Sequence, residues 1–165
     1  MAFPPRVVIA TRNAHKIAEI RRICADWPVE WITHDDRPWD DVKETGSTYL
    51  ENALLKARAA AGALGESALA DDSGIEVDAL GGAPGPRSAR YAGPNATDER
   101  NLRALLAAVA GVPAGGRTAR YRAVAALVTP EGEVWEEGIC EGTLRTKPRG
   151  SGGFGYDPIF EPAGW

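Results

Sequence analysis

The chain is poor in the residues that build metal clusters, disulfides and covalent-catalysis sites. Of its 165 residues only two are cysteine and two histidine. Cys24 and Cys140 have no metal-ligand spacing, and they read as free buried thiols of a reducing cytosol. His15 and His34 lack the third partner that a histidine-rich zinc site needs, and His15 reads as a helix-surface residue. There is no G-x-S-x-G elbow and no cysteine–histidine nucleophile pattern, which disfavours covalent catalysis. No apolar run approaches the ~20 residues of a membrane-spanning helix. The segment Met1-Ala2-Phe3-Pro4-Pro5-Arg6 carries no signal-peptide pattern, so a cytoplasmic location is the default expectation. An excess of one charge sign is also missing: 19 basic against 23 acidic residues leave a net charge of −4. That excludes a global basic field drawing the protein to nucleic acid or an anionic membrane, while local basic residues can still bind phosphate. With no internal repeat, low-complexity tract or linker, the length suggests a single domain over residues 1–165 with a proper core.

What is present has α/β order. Val7-Val8-Ile9-Ala10 is a β-branched run that predicts a buried first strand. Asn13 is a good N-cap for a helix over about 14–25, where Ile17, Ile20, Ile23 and Cys24 recur at helical spacing. Residues 29–33 predict a second strand, and residues 34–46 a polar, acidic loop. Thr48 and Glu51 form a T-x-x-E capping box. The helix it opens runs to about Leu64 and buries Leu50, Ala53, Leu54 and Ala57. Residues 81–96 form a Gly- and Pro-rich ordered loop, and Thr97-Asp98 caps a third helix with Leu102, Leu105, Leu106 and Val109 inside. Ala119–Thr129 and Glu133–Cys140 predict a β-hairpin about Pro130-Glu131-Gly132, and 147–155 a Gly-rich loop. β-α units followed by a hairpin predict an α/β domain with a mixed central sheet flanked by helices.

Four clusters carry chemistry. In Ala70-Asp71-Asp72-Ser73-Gly74, adjacent carboxylates sit where a strand is expected to break into a turn, a costly placement unless they hold a cation or move a proton. In an extended chain Asp71 and Asp72 point to opposite sides. Thr11-Arg12-Asn13-Ala14-His15-Lys16 runs from a strand into a helix N-terminus, which favours an anion, and Lys16 adds a mobile charge one turn inside. It lacks the glycines of a Walker loop. Glu44, before the second helix, is the candidate second carboxylate for a Mg²⁺ held by Asp72. In Gly152-Gly153-Phe154-Gly155-Tyr156-Asp157-Pro158 small residues admit a flat ligand, Phe154 offers a stacking face, and Tyr156 serves equally well as a hydrophobic anchor. Arg87, Arg90 and Tyr91 form a weaker cluster, suited to a phosphate or to bracing the loop.

Taken in order over nearly the whole chain, these stretches resemble the Ham1/RdgB-type inosine triphosphate pyrophosphatases. The match includes Glu44-Thr45-Gly46, Glu51-Asn52-Ala53 with Lys56, Leu80-Gly81-Gly82-Ala83-Pro84-Gly85, Ser88-Ala89-Arg90-Tyr91 and Ala96-Thr97-Asp98 with Asn101-Leu102. The resemblance implies two lobes with an active-site cleft, a homodimer, and Mg²⁺-dependent hydrolysis of dITP, ITP and XTP to the monophosphate and pyrophosphate. It places Thr11, Arg12, Asn13, Ala14, His15 and Lys16 on the triphosphate, Glu44 and Asp72 on Mg²⁺, and Ser73 on the substrate. It puts Phe154, Gly155, Tyr156 and Asp157 on the purine. Asp72 matches the family's proton acceptor, with Asp71 as the alternative base. Two departures stand out. Arg12 replaces a glycine common in the family. The family also continues some tens of residues past the Phe154 motif, through a Lys and a Ser-His-Arg segment that read the purine keto group, whereas this chain stops at Trp165. The catalytic half is expected with part of the base-reading half absent, and hence weakened, less selective binding. The competing expectations are a Maf-like nucleotide pyrophosphatase, which the Phe154-Gly155-Tyr156-Asp157 motif disfavours, and a non-catalytic nucleotide-binding fragment, which the intact Asp72 and Glu44 disfavour.

Overall fold

The β-branched run after the N-terminus forms β1 (Arg6–Ile9), and Asn13 starts α1 (Ala14–Ile23) by accepting hydrogen bonds from the backbone of His15 and Lys16. The computed structural model describes residues 3–164. The remaining elements are β2 (Glu30–Ile32), α2 (Tyr49–Leu64), β3 (Ser67–Val77), α3 (Asp98–Ala108), β4 (Thr118–Thr129), β5 (Gly132–Leu144) and β6 (Phe160–Pro162), with short 3₁₀ turns between several of them. The strands form one mixed sheet in the order β2-β1-β3-β4-β5-β6. β1 is parallel to β2 and β3, and β5 is antiparallel to β6.

The chain divides into two compact units: Met1–Asp72 with Val124–Glu137, and Ser73–Ala123 with Gly138–Trp165. In the first, the expected capping box is complete: Thr48 accepts from the Glu51 N–H while Glu51 accepts from the Thr48 N–H. The buried face of α2 carries Tyr49, Ala53, Ala57 and Ala60. Ala57 and Ala60 pack on Val8, Ala10, Ala68 and Ala70, and Tyr49 and Ala53 on Val124 and Ala126. Alanine on the helix lets it lie close to the sheet, while Leu50 and Leu54 are only half-buried at the border. In the second unit Ile75 and Val77 of β3 pack with Leu102 and Leu105 of α3, Val109, Ala119, Leu144, Tyr156 and Ile159.

Several expectations need correction. Asp71 and Asp72 do not mark the end of a strand, because β3 runs unbroken from Ser67 to Val77. The apolar alternation on both sides outweighs the turn chemistry of Asp, Ser and Gly. Ile23 is 69% exposed, since α1 ends there and its last turn does not reach the core. Cys24 is buried, but Cys140 is exposed on β5, where every residue from Gly132 to Glu141 is exposed. Strand β6 was not foreseen: three residues that follow a Pro-containing 3₁₀ turn leave little periodicity to see. Among the described residues no helix is long and apolar enough to cross a membrane.

Candidate active site

β2 and β3 lie on opposite sides of β1 and both run parallel to it. The chain therefore reverses its direction of sheet growth at β1. In open α/β sheets ligands bind beyond the C-terminal ends of the strands at such a point. β1 ends at Ile9, paired with Leu69. Thr11 and Asn13 thus follow the end of β1 while Asp71 and Asp72 extend β3 past its last pairing with that strand.

Alternation along β3 sends the two carboxylates to opposite faces, each toward a different helix. Asp71 accepts from Lys16 Nζ of α1 at 2.6 Å. Asp72, buried, accepts through Oδ2 from Asn52 Nδ2 of α2 at 3.2 Å, and its Oδ1 lies 3.5 Å from Lys56 Nζ. Lys56 Nζ is also 3.6 Å from Glu44 Oε1, so Glu44 and Asp72 converge on one ammonium. Both contacts exceed the about 2.7–2.9 Å of a charge-assisted hydrogen bond. Asp71 Oδ1 is buried with no hydrogen-bond partner. Burial lifts the Asp72 carboxyl above its usual range; Lys56 opposes this, Glu44 adds to it, and the Asn52 hydrogen bond and Lys16 oppose it.

The partnerless Asp71 Oδ1 and the long Asp72–Lys56 contact bear on the expected cation. Among the described residues no group of three or more His, Cys, Asp or Glu side chains could hold a metal. Two convergent carboxylates do suit a hard divalent ion that completes its shell with water and phosphate oxygens.

The N-terminus of α1 is less open than the sequence suggests. Asn13 Oδ1 accepts from His15 N (2.9 Å) and Lys16 N (3.4 Å), and Asn13 N donates to Thr11 Oγ1 (3.2 Å). An anion arriving here meets a helix end whose donors are partly engaged, with the Asn13 amide nitrogen as a further donor. Arg12 donates to the Trp39 carbonyl at 2.7 Å and pairs loosely with Asp41 at 3.9 Å, so it braces the following loop. Ala14 and His15 are exposed, while Lys16 is half-buried.

The other predicted residues belong to the second unit. Ser73 is half-buried on β3. Tyr156 is buried and donates its hydroxyl to the Ser88 carbonyl at 2.6 Å, and burial raises its pKa, with Tyr91 and Asp98 adding to the shift. Asp157 accepts from Phe154 N at 2.9 Å and from the Tyr121 hydroxyl at 2.9 Å, and Asp98 accepts from Gly155 N at 3.0 Å. These bonds tie down the loop that presents the half-buried Phe154 ring. Arg87 and Arg90 are exposed on the 3₁₀ turn Gly85–Arg90.

Asn52 and Lys56 had been given no role. Their signal was available: an amide and an ammonium at i and i+4, one turn apart on a helix otherwise lined with alanine.

The Ham1 family profile matches residues 7–164. A dITP/XTP pyrophosphatase of Streptomyces coelicolor is 52% identical over 163 residues, covering 96% of this chain and 82% of that protein. One from Symbiobacterium thermophilum is 54% identical over 157 residues, covering 94% and 78%. Among solved structures, a HAM1 protein from Coxiella burnetii aligns with a TM-score of 0.84 at 42% identity, covering 94% of this chain and 80% of that one. A nucleoside-triphosphatase / dITP/XTP pyrophosphatase from Mycobacterium abscessus aligns with a TM-score of 0.80, again at 42% identity, covering 97% and 85%. With the fold, the ordered motifs and these matches in agreement, the chain belongs to the Ham1 family.

Proposed function

We propose that this protein is a nucleoside triphosphate pyrophosphatase that cleaves dITP, ITP and XTP to the monophosphate and pyrophosphate. The observation that carries this reading is Asp72: a buried carboxylate of raised pKa beside Glu44 and Lys56, on β3 just past its last pairing with the parallel strand β1. Relatives named dITP/XTP pyrophosphatase, about half identical to the chain, support the substrate class.

Glu44 and Asp72 would hold Mg²⁺, which when bound offsets triphosphate charge and polarises the phosphoryl oxygens. The rest falls to the chain's own side chains. Lys16, paired with Asp71, would meet a phosphate at the start of α1, where the helix dipole also favours negative charge. Lys56 balances the two carboxylates and keeps them from repelling each other. Asp72 orients a water for attack on the α-phosphorus. As the new P–O bond forms, the bond to the pyrophosphate oxygen breaks, and the proton of the water passes to a carboxylate. A carboxylate that also holds a cation is a weak base, so Asp72 orients the water more than it deprotonates it, and Asp71 is the alternative acceptor. Asp71 has one oxygen committed to Lys16. Phe154 is proposed as the base-stacking ring on family membership, and a homodimer as the working assembly.

The test is pyrophosphate release from dITP, XTP, dATP and dGTP, with and without Mg²⁺. Metal-dependent release from dITP and XTP supports the proposal. Nucleotide binding without turnover on any substrate would replace it with a binding protein.

A further inference from the structure

We propose that Asn52 is a positioning residue, a single buried amide that sets Asp72 and the Glu44 segment in one fixed arrangement. The inference rests on the reading of Glu44 and Asp72 as the working carboxylates.

Asn52 is fully buried on α2, in line with Tyr49, Ala53, Ala57 and Ala60, where packing alone would be served by an apolar side chain. It is not needed to start the helix, because Thr48, Ser47 and Glu51 already exchange the capping hydrogen bonds. Instead its two polar atoms reach in two directions. Oδ1 accepts from the Gly46 N–H at 2.8 Å, and Nδ2 donates to Asp72 Oδ2 at 3.2 Å. Gly46 lies two residues after Glu44, so the first bond anchors the segment that delivers Glu44. The second bond occupies one Asp72 oxygen and leaves Oδ1 on the side of Lys56, where Glu44 also arrives.

The approach of Gly46 to Asn52 tolerates no side chain. A Cβ on Gly46 would sit 2.7 Å from Asn52 Oδ1 and 2.6 Å from Glu51 Cβ. Glycine at 46 and asparagine at 52 are thus two halves of one contact. The amide supplies the two functions together that no other residue of its size does: an acceptor for a backbone N–H and a donor for a carboxylate.

Two variants separate these functions. Asn52→Leu removes both bonds. Asn52→Asp keeps an acceptor for Gly46 but places a second carboxyl against Asp72. Both are read first by exchange of the Gly46 amide proton. In Asn52→Leu, protection of the Gly46 amide falls about tenfold, as expected for one lost net hydrogen bond. In Asn52→Asp the protection is kept. With dITP and Mg²⁺, both variants lose kcat with little change in KM. The proposal is overturned if the Gly46 amide exchanges in Asn52→Leu as it does in the unaltered protein, or if the variants lose only thermal stability and keep kcat. Should Asn52→Leu fail to fold, the kcat of Asn52→Asp decides. The exchange readout needs no turnover. A failure of the functional reading shows instead as full activity in Asp72→Asn.

Discussion

Two charged clusters share this sheet, and they are built on opposite terms. In the second unit Arg120 donates to Asp78 at 3.0 and 3.1 Å and to Glu141 at 3.0 and 3.2 Å, and Arg122 donates to Glu76 at 3.0 Å. Hydrogen bonds from Arg120 and Thr118 hold the Asp78 carboxyl below its usual range. In the first unit Asp72 is buried, meets its nearest ammonium only at 3.5 Å, and sits above its usual range. Asp71 beside it keeps one buried oxygen without a partner. The difference teaches what a charge cluster is for. Where each carboxylate accepts a hydrogen bond from a guanidinium, the cluster braces the fold. Where burial is tolerated without full pairing, capacity is left for a substrate or cation, at a cost in stability.

Breaking the comparison at Asp72 gives the largest effect. Asp72→Asn keeps the shape and one polar contact with Asn52. Pyrophosphate release from dITP should fall about 10²- to 10⁴-fold, the usual worth of a positioned proton acceptor. The melting temperature should hold or rise, because a buried, under-paired charge is removed. Next is Lys16→Ala, which takes away the mobile cation held by Asp71. KM for dITP should rise about 10- to 100-fold, the loss of a hydrogen bond to a charged group, as steady-state kinetics would show.

A smaller effect falls on stability. Tyr156→Phe leaves the buried Ser88 carbonyl without the hydroxyl that donates to it at 2.6 Å. Urea denaturation should show a loss of about 1–3 kcal/mol.

The two clusters should also respond to pH with opposite sign. A carboxyl raised in the folded state binds its proton more tightly there than in the unfolded chain. Metal-free protein should therefore lose the Asp72 contribution as pH rises through its raised pKa, and Asp72→Asn should gain on the unaltered protein over that window. Asp78 is lowered, so its contribution is present above its unfolded pKa and is lost as pH falls through the folded value. Arg120→Met should reduce that acid-side loss, leaving the part that the Thr118 hydrogen bond supplies, and should lower the melting temperature. Thermal melts from pH 3 to 8, on the order of the full carboxylate titration range, would resolve both slopes.

Much of the first unit was legible because local chemistry and burial agree there. The β-branched run at 7–10, the Asn13 cap and the Thr48–Glu51 capping box each specify a local geometry that packing then keeps. The course of β3 was not legible. Asp-Asp-Ser-Gly reads locally as a turn, and it is the pairing of β3 between β1 and β4 and the burial of Ile75 and Val77 that hold it extended. Asp71 and Asp72 could be singled out by type, and their opposite directions followed from strand geometry. Their partners could not, since Lys16 lies 55 residues and Asn52 20 residues away along the chain. The engagement of Asn13 Oδ1 and the bracing of Arg12 on Trp39 are likewise matters of side-chain geometry that spacing leaves open.

One assay tests most directly whether the under-paired cluster does the chemistry. Pyrophosphate release from dITP in Mg²⁺ would be measured side by side for the unaltered protein, Asp72→Asn and Arg120→Met. The account predicts a loss of about 100-fold or more for Asp72→Asn, with Arg120→Met staying within about twofold of the unaltered rate. Equal turnover by Asp72→Asn and the unaltered protein, or an equally deep loss in Arg120→Met, would contradict it.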